Sequence, residues 1–154
     1  MAELHVGDEA PDFTLRDENG QPVHLADLRG QVVVLMFYPL DFSSVCTGEF
    51  CEIRDRFPEV ESAGAKLFGI SRDSTYTHKV FKEREGFKHT LLADMKGDVA
   101  RLYGCWNENA AIAERLTVVI GPDGRIRFLD RSPSIPTPRD QQKMLDAIKA
   151  LAAA

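Results

Sequence analysis

Hydrophobic positions along the chain fall in short blocks whose spacing alternates between that of strands and that of helices. Gln31 to Tyr38 is almost unbroken apolar sequence, β-branched at its start. That pattern predicts a strand buried on both faces of a sheet, ended by Pro39. Ahead of it, Pro11–Leu15 and Val23–Leu25 flank the turn Asp17-Glu18-Asn19-Gly20-Gln21, so the first 25 residues predict a hairpin. After Pro39, Leu40–Ser44 is a loop rich in helix caps. A helix is expected from about Val45 toward Ala63, kinked or restarted at Pro58. Ala65–Ser71 reads as the next strand. Thr75–Glu85 reads as a helix capped by Asp73 or Ser74, and Asp98–Tyr103 as a short helix. Leu116–Ile120, the turn Gly121-Pro122-Asp123-Gly124 and Arg125–Asp130 predict a second hairpin. Ser132–Pro138 carries three prolines and is expected to be a stiff linker. The last helix is placed at Arg139–Ala153, with Met144, Leu145, Ile148, Leu151 and Ala152 on its apolar stripe.

Strands that alternate with helices and end in a hairpin imply an α/β fold, a central mixed sheet flanked by helices. With its N-terminal β-hairpin extension, this is the element order of a thioredoxin-like fold. The length, 154 residues, fits one domain over 1–154. Val32–Tyr38, the longest apolar run, is far too short to span a bilayer, so no membrane association is expected. The formal net charge of −5 argues against nucleic acid and anionic lipid as partners. The first residues show no basic segment followed by an apolar one, and the three cysteines then predict free thiols in a reducing, cytoplasmic setting. There is no C-x-x-C pair and the four histidines are scattered, so a structural zinc site is not expected. No cofactor is called for.

The chemistry concentrates where the buried strand ends. In Tyr38-Pro39-Leu40-Asp41-Phe42-Ser43-Ser44-Val45-Cys46-Thr47-Gly48-Glu49, a short loop delivers Cys46 to the first turn of a helix. Free N–H groups and the helix dipole stabilise an anion there, and the thiolate is the reactive form of cysteine. Ser43, three residues earlier, can accept one hydrogen bond and donate another. From these residues alone, a packed core thiol beside a serine cap is the commoner case.

The pattern Pro-x-x-x-Ser-x-x-Cys-x-x-Glu resembles the peroxiredoxins, whose motif is Pro-x-x-x-Thr/Ser-x-x-Cys. Gly7–Leu15, Ser71-Arg72-Asp73-Ser74 with His78, and Pro122-Asp123-Gly124 extend the resemblance over essentially the whole chain. Tyr103–Glu108 and the Arg-Asp-Gln at Arg139 are similar to the AhpE-like branch, and Cys51 to the PrxQ branch. The resemblance implies that Cys46 is the nucleophile that attacks a peroxide oxygen and becomes a sulfenic acid. It implies that Ser43 hydrogen-bonds the peroxide, that Pro39 shields the sulfur, and that an arginine from a later strand stabilises developing charge. Arg115 matches that arginine's place, with Arg101 as the fallback. Glu49 shares the face of Cys46; it either orients an arginine or is a first-turn acid favoured by the dipole.

The function implied is a thiol-dependent peroxidase for hydrogen peroxide, organic hydroperoxides or peroxynitrite. Cys51 would resolve the sulfenic acid, and thioredoxin or a glutaredoxin-like protein would recycle the enzyme. Residues five apart on an intact helix have Cα atoms about 8.7 Å apart and point ~140° away from each other. A disulfide needs about 7 Å or less. A Cys46–Cys51 bond therefore requires the helix start to unwind, which Gly48 eases. The alternatives are an inert Cys51 with a one-Cys cycle, a resolving Cys105, and a redox sensor without turnover. A thiol–disulfide oxidoreductase is disfavoured without C-x-x-C. A homodimer through loops near the site is a further expectation of the AhpE-like likeness.

Overall fold

The computed structural model describes residues 3–153. Its centre is β3 (Val32–Phe37), buried along its whole length. Its odd and even side chains enter different cores. Val33, Leu35 and Phe37 join Phe68, Ile70, Leu92, Tyr103 and Cys105 on one face of the sheet. Val32, Val34, Met36 and Tyr38 join Cys46, Phe50, Ile53, Phe81, Leu91, Met144 and Ile148 on the other. A strand with two buried faces has no polar side to show, which is why its sequence reads as an unbroken apolar run.

The loop after β3 leads into α1 (Ser44–Asp55), and Arg56 separates it from α2 (Phe57–Ser62). The expected single helix is thus restarted rather than kinked, with Pro58 in the first turn of the second segment, where its missing N–H costs nothing. β4 (Ala65–Ser71) then pairs with β3 in parallel, and α3 (Thr75–Glu85) follows under the Ser74 cap. Next come β5 (Thr90–Ala93) and α4 (Asp98–Leu102). A miniature hairpin, β6 (Trp106–Asn107) with β7 (Ile112–Ala113), precedes β8 (Leu116–Ile120) and β9 (Ile126–Arg131). The last helix, α5, runs Gln141–Ala152.

The sheet order is β2-β1-β5-β4-β3-β8-β9, where β1 (Thr14–Asp17) and β2 (Pro22–His24) form the N-terminal hairpin. β1 pairs antiparallel with β5, so the hairpin extends the central sheet at one edge. β8 runs antiparallel to β3 and β9 antiparallel to β8, which makes the sheet mixed. The pattern reading is corrected in several places: β1 begins at Thr14 rather than Pro11, and the β6–β7 hairpin was not expected. β5 was not expected, because Thr90-Leu91-Leu92-Ala93 has no alternation; it exists as the partner of β4 and β1. The final helix begins at Gln141 under an Asp140 cap, which releases Arg139 from the helix and lets it turn inward. Among the described residues no helix is long and apolar enough to cross a membrane.

Packing between β4 and α1 leaves no room for an added atom. A methyl group on Gly69 of β4 would come within 2.8 Å of Leu91, 3.0 Å of Phe50 and 3.2 Å of Tyr38. Gly69→Ala should destabilise the protein by about 1–3 kcal/mol, a fall in Tm of roughly 2–8 °C in a thermal melt.

Candidate active site

The loop from Pro39 to Ser43 places the start of α1 over the end of β3. Ser43 is extended and caps the helix, its Oγ accepting the Cys46 N–H at 3.3 Å. The hydroxyl proton of Ser43 remains available to donate outward. Cys46 occupies the third position of α1, inside the turn whose N–H groups have no helical partner. It exposes no surface, and Pro39 is also buried.

Arg115 stands immediately before β8 and is almost fully buried. Its Nη1 donates to Cys46 Sγ at 3.1 Å and to Glu49 Oε1 at 2.7 Å. Its Nε donates to the Ile135 carbonyl at 2.6 Å, so the proline-rich segment expected to be a linker is a strap that holds the arginine in place. Ser132 fastens that strap by donating to the Thr137 carbonyl at 2.6 Å.

Glu49 is the hub, and Arg139, which the sequence reading assigned to the last helix, is its main partner. Glu49 Oε2 accepts the Arg139 backbone N–H at 2.7 Å and Nε at 3.0 Å, and Oε1 accepts Nη2 at 2.8 Å. The remaining Arg139 nitrogen, Nη1, donates to the carbonyls of Phe37 at 2.6 Å and Leu116 at 3.1 Å. Phe37 ends β3 and Leu116 begins β8, and the two are paired, so Arg139 caps that end of the antiparallel ladder. Burial alone would raise the Glu49 carboxyl; the hydrogen bonds and charge of Arg139, then Arg115, overturn this and hold it below its ordinary value. Two buried guanidiniums facing one carboxylate leave one positive charge over, beside Cys46 Sγ.

The structure thus brings Cys46, Ser43, Glu49 and Arg115 together with Pro39 nearby in the chain, and adds Arg139. Three candidates lie apart. Arg101 sits over the Trp106 ring at 5.0 Å and pairs with Glu108 at 3.1 Å on the surface. Cys51 is half-buried on the flank of an unbroken α1, on which the helix geometry turns it away from Cys46. Cys105 is fully buried among the residues of the opposite face, and burial pushes its thiol well above the ordinary value. His78, to which no chemistry was given, is buried on α3 and bonded to Asp41.

A sulfur with no exposed surface can meet only a small reactant, and a guanidinium at its side can stabilise charge that spreads onto that reactant. With a cysteine at the head of a helix on a thioredoxin-type sheet, the molecule is of the class of thiol-dependent oxidoreductases. The chain belongs to the AhpC/TSA family, whose profile matches residues 6–129; it is a peroxiredoxin, and thiol-dependent peroxidase activity comes with that membership. It is 43% identical to alkyl hydroperoxide reductase E of Mycobacterium tuberculosis, over 97% of this chain and 99% of that one. It is 36% identical to peroxiredoxin Bcp of Escherichia coli, over 84% and 86% of the two chains. Among solved structures, peroxidoxin BcpB of Mycobacterium tuberculosis superposes with a TM-score of 0.84 at 32% identity, covering 95% of this chain and 97% of that one. A peroxiredoxin-like protein from Aquifex aeolicus reaches a TM-score of 0.90 at 21% identity, over 98% and 90%, which shows the shared fold.

Glu49→Gln should leave two buried arginines short of a counter-charge and cost about 3–5 kcal/mol at pH 7. Because the Glu49 carboxyl lies below its ordinary 4.5, its stabilisation is present above that value and is lost as pH falls through the lower folded one. The Tm difference between the unmutated protein and Glu49→Gln is therefore expected to be constant from pH 7 to about 5 and to close below pH 4.

Proposed function

We propose that Cys46 is the peroxidatic cysteine and that Arg115, Ser43, Pro39 and Glu49 assist it. The thiolate attacks the terminal oxygen of a hydroperoxide ROOH; the O–O bond breaks, the sulfur takes up OH and is oxidised to Cys46–SOH, and RO⁻ departs and is protonated by solvent to ROH. Arg115 stabilises the charge shared by the sulfur and the departing oxygen, and the Ser43 hydroxyl orients the peroxide. Glu49 and Arg139 fix Arg115 and take no proton. The observation that carries this reading is the Arg115 contact, 3.1 Å to Cys46 Sγ and 2.7 Å to Glu49.

Cys51 then resolves the intermediate. Cys46–SOH and Cys51–SH give a disulfide and water, and a thioredoxin- or glutaredoxin-like dithiol returns both sulfurs to the thiol state. The intact α1 keeps the two sulfurs apart, so this step follows unwinding of the first turns, where Gly48 is exposed and a Cβ there would touch nothing. The same separation favours the second reading, in which Cys51 only packs and an external thiol attacks Cys46–SOH directly. Exposed Leu40 and Phe42 beside the loop, with Tyr76 and Val80 exposed on α3, provide an apolar surface for a second copy of the chain. Three unpaired thiols suit a reducing, cytoplasmic location.

Fully reduced protein treated with one equivalent of hydrogen peroxide should lose two hydrogens by intact mass, with the Cys46 and Cys51 peptides linked. One added oxygen confined to Cys46 would establish the one-Cys cycle, and no modification within seconds would sink the peroxidase reading. Arg115→Met should slow oxidation of Cys46 by about 10²-fold or more in stopped-flow kinetics.

A further inference from the structure

Behind the loop that carries Pro39 and Ser43 lies a buried polar cluster that the chemistry above does not use. Asp41 points inward with its side chain fully buried. Its Oδ1 accepts the Tyr38 hydroxyl at 2.5 Å, and its Oδ2 lies 2.6 Å from His78 Nδ1. The other ring nitrogen, His78 Nε2, lies 2.9 Å from the Leu92 carbonyl in β5. A carbonyl only accepts, so Nε2 carries a proton. One further proton then lies between Asp41 and His78, and the pair is electrically neutral wherever that proton sits. The loop backbone is tied as well: the Asp41 N–H donates to Asp73 Oδ2 at 2.8 Å, and the Ser71 hydroxyl donates to the same oxygen at 2.5 Å.

These ties bracket a strained residue. Phe42 has φ +66°, in the left-handed region that side chains disfavour, and its half-exposed ring packs at a tilt against Phe81, 4.8 Å between ring centres. Such a conformation persists only where its neighbours enforce it. The neighbours here are Asp41, anchored to α3 and β5, and Ser43, which caps α1 over Cys46.

We propose that the Asp41–His78 pair is the latch that holds the Pro39–Ser43 loop closed over Cys46, making Asp41 and His78 positioning residues for its reaction. The proposal rests on Cys46 being the reactive thiol. Asp41 and His78 touch neither the sulfur nor the peroxide; they fix the conformation from which Ser43 and Pro39 address both. Burial pushes the Asp41 carboxyl above its ordinary value against the pull of His78, consistent with a shared proton in an enclosed place.

Asp41→Ala and Asp41→Asn in the full chain test this. Asparagine keeps an acceptor for Tyr38, and its amide can donate to the free nitrogen of a neutral His78; alanine keeps neither. The reduced proteins are pulsed with iodoacetamide and labelling is followed at each cysteine by peptide mass, beside stopped-flow oxidation by hydrogen peroxide. Cys105, fully buried on the opposite face of the sheet, reports global opening. In Asp41→Ala, Cys46 labelling is expected to rise about 10-fold or more while Cys105 stays protected, and the peroxide rate to fall about 10-fold. Asp41→Asn should remain within about 3-fold of the unmutated protein in both measurements. Unchanged Cys46 labelling in Asp41→Ala, Cys46 and Cys105 rising together, or asparagine behaving as alanine would each overturn the latch. Failure of the peroxidase reading would show separately, as an unmutated protein inert to peroxide, and the labelling comparison would still decide the latch.

Discussion

One buried carboxylate holds the active end of this molecule together. Glu49 accepts hydrogen bonds from Arg115 and from the side chain and backbone of Arg139, and so joins α1, the start of β8 and the strap that leads to α5. Through Arg139 it also reaches the last carbonyl of β3 and the first of β8. A carboxylate this deep is tolerated because its oxygens meet cationic donors in well-directed hydrogen bonds. The arrangement is also unbalanced by one positive charge. That surplus faces the sulfur through the same Nη1 that bonds Glu49, and it is the feature on which the proposed role of Cys46 rests.

Legibility in the sequence followed the range of the interactions. β4 at Ala65–Ser71, α3 at Thr75–Glu85 and β8 at Leu116–Ile120 match the pattern reading because caps, turns and periodicity are local signals. Ser43 as the cap of the Cys46 helix was readable for the same reason. β5 was not, since four residues without alternation become a strand only when β4 and β1 are beside them. Arg139 was missed as a site residue because its partner, Glu49, is 90 positions away. Its only local sign is its place just before the Asp140 cap, where it is free of the helix. Asp41 and His78, 37 positions apart, likewise meet only in the folded chain. Arg115 was picked out by family resemblance; from its own surroundings it reads as a charge at a strand start.

The two stages of the proposed cycle place opposite demands on the first turns of α1. Attack on peroxide needs Cys46 fixed beneath Arg115 with Ser43 capping the helix, whereas a bond to Cys51 needs that turn undone. The charge balance links the two. While the sulfur is a thiolate, the two arginines, Glu49 and Cys46 sum to neutrality. Once it is a protonated sulfenic acid, the negative charge has left with the reduced oxygen, and a buried positive charge stands unmatched. Arg115 then gains less from its contact with the sulfur and keeps its bonds to Glu49 and Ile135. The start of α1 thus loses one of its attachments at the step where resolution calls for it to open. The Glu49 clamp one turn further along is left intact to bring the same geometry back after reduction.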